Sequence, residues 1–195
     1  MLFNTPNLLT FLRIALIPAF IVAYYLARPW AHALATGLFI LAALTDWLDG
    51  YLARRLEQTS PFGAFLDPVA DKLMIAAALI VLVELGRVEA IIAVVIIGRE
   101  IAVSALREWM AKIGQSKSVA VNFLGKIKTI SQMIAVPLLL YHDRIGMFSP
   151  QRVGTWLIYL AAILTLVSMF YYLKLAVPPR VEGDRRRLDR RGGGP

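Results

Sequence analysis

The chain has 195 residues, of which 58% are hydrophobic and 17% charged, and its mean hydropathy is +0.65. That composition excludes an ordinary soluble domain and makes the bilayer the solvent. The formal net charge is +8, and the absence of cysteine excludes disulfides, thiolate nucleophiles and thiolate metal sites.

Windows of about 20 residues, the length needed to cross a bilayer, locate apolar stretches at Asn7–Leu26, Ala31–Arg54, Leu66–Leu85, Glu89–Met110, Val119–Tyr141 and Val153–Leu173. The predicted fold is all-α, a polytopic integral membrane protein with six transmembrane helices over residues 1–177. The first stretch reaches the second through a few residues and carries no small-residue cleavage site, so it reads as retained rather than as a removed signal peptide. Short loops predict that consecutive helices are antiparallel neighbours. Residues 178–195 are rich in Pro, Gly and Arg with almost nothing apolar to bury, which predicts a disordered basic tail.

Charge placement predicts orientation. Arg54, Arg55, Lys112, Lys117, Lys174 and six tail arginines fall on one side, against Arg28, Arg87, Arg144 and Arg152 on the other. The termini are therefore expected in the cytoplasm. Anionic lipid headgroups are the natural partners of the basic side. Nucleic acid is not expected, because no folded basic domain or aromatic-interleaved patch accompanies the tail.

In chain order, the first span carries Asn7 and Thr10, placed to cap or orient it, and Arg13 one turn further in. The second and third spans are joined by TDWLDGYLARRLEQTSPFGAFLDPVADK. At about 100° per residue, Asp46, Asp49, Gly50 and Ala53 share one stripe, and Asp67 and Asp71 stand one turn apart. An ionised carboxylate at bilayer depth normally marks an ion or substrate site. A single acid here could be an interfacial partner of Arg54, Arg55 or Lys72. Four clustered carboxylates without a cation would repel strongly, so a four-carboxylate cage facing the cytoplasmic edge is expected. Oxygen donors favour Mg²⁺, Mn²⁺ or Ca²⁺, and two metals fit better than one. Pro68 allows two local structures: a helix capped by Asp67, or one that starts near Pro61 and bends at Pro68.

The fourth span holds Arg99 and Arg107, eight residues apart; the fifth begins with Lys126 and Lys128. With Lys117, these are candidates for an anionic subsite, against a simpler role in snorkelling to headgroups. Glu100 and Glu108 could neutralise part of that charge, while Glu84 and Arg87 read as interfacial. Trp30, Trp47, Trp109 and Trp156 lie near span ends and read as belt anchors. His32 and His142 fall at the edge away from the aspartates, so neither is placed to act as a nucleophile beside them. A cation transporter would distribute its acids through the bilayer, and an intramembrane aspartyl protease would use a metal-free pair. Neither pattern is present.

The signature is Asp46, two residues, Asp49-Gly50, two residues, Ala53-Arg54, eight residues, Gly63, three residues, Asp67, three residues, Asp71. It resembles the complete signature of the CDP-alcohol phosphatidyltransferase family. Similarity extends through PNLLTFLRI, GREIAVSALREW and GKIKT, covering roughly Asn4 to Lys174. The resemblance implies Mg²⁺-dependent transfer of a phosphatidyl group from CDP-diacylglycerol to sn-glycerol 3-phosphate with release of CMP, by a homodimer in a bacterial inner membrane. It also implies that Asp46, Asp49 and Asp67 are metal ligands and that Asp71 is both ligand and catalytic base. Gly50, Ala53, Arg54 and Gly63 would line the nucleotide pocket. Relatives that use phosphatidylglycerol or inositol phosphate share the aspartates, so only the acceptor pocket separates them.

Overall fold

The computed structural model describes residues 5–56, 61–112 and 123–176. Among these, the chain forms six helices and no strand: α1 (Thr5–Tyr25), α2 (Ala31–Leu56), α3 (Pro61–Glu84), α4 (Ala90–Lys112), α5 (Phe123–Tyr141) and α6 (Pro150–Ala176). The fold is an all-α membrane protein, as the apolar runs require. In lipid a backbone must satisfy its own hydrogen bonds, which leaves the helix as the only open-chain solution. By length and composition α1, α2 and α6 can each cross a membrane, and a third or less of each window is buried inside the protein. The remaining three carry charged residues within their lengths: Asp67, Asp71 and Lys72 on α3, Arg99 and Glu100 on α4, Lys126 and Lys128 on α5.

Of the two structures open at Pro68, the helix capped by Asp67 does not form. Helix α3 begins at Pro61 and runs through Pro68, so Asp67 lies inside the helix rather than capping it. Proline at the first helical position has no amide to waste. Pro18, Pro68 and Pro137 all sit inside helices, which a surrounding bundle tolerates.

The helices close into a ring in the order α1, α2, α5, α6, α4, α3, with α3 also touching α2 and α5. Here the rule of antiparallel neighbours fails once. The backbones of α4 and α5 do not meet among the described residues, and α4 lies against α6. The reason lies in α6. Its Ser168 accepts a bond from Arg99, and its Tyr159 donates to Glu89, just before α4.

The core is apolar and close-packed, centred on Phe20, Phe39, Leu79, Leu82, Ile96, Leu139 and Ile158, with Ala35, Ala42, Ala78, Ala135 and Ala162 letting backbones approach. The closest approach is at Gly154 of α6. A Cβ there would stand 2.8 Å from Leu139 Cγ and 3.2 Å from the Ala135 carbonyl oxygen. Large apolar side chains, among them Leu44, Trp47, Ile80, Val94, Ile130, Trp156 and Phe170, are exposed on the outside. In water this would be a defect; in lipid it is the required surface.

Helix ends away from the aspartates are closed by identifiable caps. Gly86, at φ +66°, ends α3 with Gly86 N–H bonded to Val83 and Arg87 N–H to Leu82, the paired pattern that favours glycine in the left-handed region. Helix α5 ends on His142, also left-handed at φ +62°, whose N–H bonds the Leu138 carbonyl at 3.1 Å. Two of the last α5 carbonyls, of Leu139 and Leu140, each accept from Arg87 Nη1 at 2.7 Å.

Candidate active site

The site is organised by α1. Thr10 and Arg13 stand three residues apart on one face of that helix, and each is only 1% exposed. A buried threonine hydroxyl and a buried guanidinium need partners, and both are found on other helices. Thr10 Oγ1 donates to Asp67 Oδ1 on α3. Arg13 Nη1 lies 2.9 Å from Asp46 Oδ1 on α2. One face of α1 thus holds a carboxylate from each of its two neighbours. Asp46 stays 42% exposed, so this pair borders an open space rather than a sealed core.

Asp71, one turn beyond Asp67, is within electrostatic reach of Asp46, Arg13, Lys72 and Lys128. Below it a small cavity is shared with Arg13 and floored by Phe39, Ala42, Met74, Ile75 and Met133. The carboxyl therefore has an apolar underside and a charged rim. Gly63 is buried near the start of α3. The side chains of Asp49, Gly50, Ala53 and Arg54, expected on the same stripe as Asp46, lie outside the described residues. Among the described residues no three acids or histidines are grouped to hold an ion. The donor set itself consists of carboxylate oxygens with no sulfur, and both histidines are at the other end. Such donors suit a hard divalent cation.

A second polar cluster links α4, α5 and α6. Arg99 and Lys128 are both buried. Arg99 Nη2 donates to Ser168 Oγ at 3.0 Å, and Nη1 lies 3.3 Å from Glu100 Oε1. Lys128 Nζ pairs with the same Glu100 oxygen, spanning the gap between α5 and α4. The expectation that Glu100 offsets local positive charge is met twice over. Asp71 lies within reach of Lys128 and of Asp46, so the basic cluster and the carboxylates border one another. Lys126, two residues from Lys128, is exposed on a different face of α5. Lys117 and the Arg107 side chain lie outside the described residues.

Thr10 reaches beyond its own helix rather than only capping it, Arg13 pairs across the bundle, and Ser168 was not anticipated. The available signal was an arginine and a threonine at i, i+3 inside an otherwise apolar span, a pattern that asks for partners across the bundle. Ser168 had no such signal. Trp30, Trp47, Trp109 and Trp156 are each at least half exposed.

A six-helix bundle that gathers aspartates from two helices beside a buried basic cluster defines an all-α membrane protein with a carboxylate-lined polar site. The chain belongs to the CDP-alcohol phosphatidyltransferase family, whose model matches residues 3–167. It is 51% identical over 179 residues to a CDP-diacylglycerol–glycerol-3-phosphate 3-phosphatidyltransferase of Pectobacterium atrosepticum, covering 90% of this chain and 96% of that one. Proteins of the same name from Salmonella typhimurium and Sodalis glossinidius are 47% and 49% identical, over 90% and 89% of this chain and 96% and 94% of theirs.

Proposed function

We propose that the protein transfers the phosphatidyl group of CDP-diacylglycerol to sn-glycerol 3-phosphate, giving phosphatidylglycerophosphate and CMP. The observation that carries this reading is that Arg13 holds Asp46, Thr10 holds Asp67, and Asp71 lies within electrostatic reach of Asp46 and Arg13, in a chain whose relatives, near half identical along almost their whole length, are named for that activity.

The reaction is a displacement at phosphorus. The acceptor hydroxyl oxygen forms a bond to the phosphatidyl phosphorus, the bond from that phosphorus to the bridging oxygen of CMP breaks, and the hydroxyl proton leaves to a base. In this reading Asp71 takes that proton, and its apolar underside favours a carboxyl able to accept one. Asp46, Asp49, Asp67 and Asp71 would hold Mg²⁺, two ions or Mn²⁺ in its place, and the bound metal would neutralise charge on the pyrophosphate. Thr10 and Arg13 fix Asp67 and Asp46 before substrate arrives, so that little reorganisation is needed. Gly50, Ala53, Arg54 and Gly63 line the nucleotide pocket. The acceptor's own phosphate goes to Arg99 and Lys128, with Arg107, Lys117 and Lys126 as further contacts.

The membrane domain comprises residues 1–177, with 178–195 as a basic tail. The lysine and arginine bias supports placing both termini and the aspartates on the cytoplasmic side of an inner membrane. The homodimer belongs to this reading by family resemblance.

The test is an assay of the purified protein with CDP-diacylglycerol and a panel of acceptors, with and without chelator. CMP release that requires both sn-glycerol 3-phosphate and divalent metal is expected. Release with inositol phosphate or phosphatidylglycerol instead would reassign the acceptor, and chelator-resistant turnover would remove the metal.

A further inference from the structure

At the end of the bundle opposite the aspartates, a cavity of about 450 Å³ opens between the end of α1, the start of α2, the α3–α4 turn and the end of α5. That volume lies in the range of small-molecule sites. Its walls carry two guanidiniums, Arg28 and Arg87, and no carboxylate. Arg28 is exposed, and its side chain bonds to no described residue. Arg87 uses Nη1 alone, on the α5 carbonyls, and burial in this wall holds its pKa below the ordinary arginine value, a sign of a cation short of water. The acids nearest by are engaged elsewhere: Glu84 accepts from Tyr25, and Asp143 is 2.7 Å from His32. The start of α2, a helix of 26 residues, adds its positive dipole end to the same wall. Within the lining itself the fixed charge is positive, and Asp143 is the carboxylate within electrostatic reach of Arg87.

Apart from Tyr24 and His32, the remainder of the wall is apolar, with Ala31, Ala35, Leu85 and Leu140 as its floor. Tyr24, Tyr25 and Trp30 flank it at the level where aromatic side chains meet headgroups. A cationic rim above an apolar floor at a helix end matches a phosphate attached to an acyl-bearing glycerol better than a free anion. We propose that this cavity holds the phosphodiester headgroup of a phospholipid from the leaflet opposite the aspartates, gripped by Arg28 and Arg87. The lipid joins the α1–α2 turn to the capped end of α5 and takes no part in the reaction.

Arg87 also caps α5, so the informative variants lie on the other wall. Arg28→Gln removes one guanidinium, Arg28→Lys keeps the charge, and Ala27→Trp fills the exposed mouth without removing a polar group. Full-length protein in mild detergent is titrated with phosphatidylglycerol and read by native mass spectrometry, alongside thermal unfolding with and without lipid. Wild type should retain one phospholipid more than Arg28→Gln or Ala27→Trp, or bind it about tenfold more tightly, with Arg28→Lys between. Added lipid should raise the unfolding midpoint of wild type more than that of either blocking variant. Lipid retention equal to wild type in either blocking variant overturns the proposal. So does complete displacement of the lipid by excess inorganic phosphate, which would make this a soluble-anion site. Because turnover is not read, the result is independent of the proposed reaction.

Discussion

The two ends of the bundle use polar residues in opposite ways. At the aspartate end they are buried and joined between helices: Arg13 to Asp46, Thr10 to Asp67, Arg99 to Ser168, Lys128 to Glu100. At the far end they sit at the rim and finish helices. Arg87 closes α5, Tyr25 and Tyr159 donate to Glu84 and Glu89, and His32 meets Asp143. Burying charge is unfavourable even when it is paired, and replacing a buried pair by apolar residues is often stabilising. Polar groups concentrated in the interior at one end are therefore the ones the proposed reaction would use, while the rim groups at the other end finish helices. The contrast predicts that substitutions at the first end change turnover, and those at the second change unfolding.

Asp71→Asn gives the largest effect. Loss of the base should lower turnover by on the order of 10²–10⁴ while the unfolding midpoint stays near wild type; a variant with ordinary rates would remove Asp71 from that role. Next come the α1 variants. Arg13→Gln leaves Asp46 without its ion pair, and Thr10→Val removes a hydrogen bond to a carboxylate worth about 1.5–3 kcal/mol. If these residues hold the carboxylates in place, both should depress kcat by about tenfold or more. A change confined to stability would make them packing residues only.

Gly154→Ala probes the other behaviour. Its new Cβ meets Leu139 and the Ala135 carbonyl, so α6 must move off α5, at about 1–3 kcal/mol by the usual cost of overpacking. The unfolding midpoint should fall while the folded fraction keeps its specific activity. Loss of turnover per folded molecule would instead show that the two ends are coupled.

The smallest effect is a pH dependence at the α5 cap. Burial, reinforced by Arg87, holds the His142 pKa below the ordinary histidine value. The unfolded chain, with a pKa near about 6.5, then binds the proton more readily than the native one. Stability is full above that value and declines as pH falls through it toward the lowered native pKa. His142→Asn, which tolerates the left-handed backbone, should flatten the slope between about pH 7.5 and about pH 5.5. An unchanged slope would place the titrating group elsewhere.

Much of this molecule could be read along the chain. The six helices follow from run length and composition, because in lipid the helical hydrogen bonds are closed locally and need no knowledge of neighbours. The spacing of Asp46, Asp49, Asp67 and Asp71 was equally legible, since one helical face is a property of a few consecutive residues. The tertiary structure decided what joins them. It placed Thr10 and Arg13 against two different aspartates, turned Lys128 inward and Lys126 outward, ran α3 through Pro68, and set α4 beside α6 rather than α5. These outcomes depend on contacts between residues far apart in sequence, such as the 57 positions between Thr10 and Asp67. A helix carries its own period, but which neighbour its polar face meets is fixed only when the whole bundle packs.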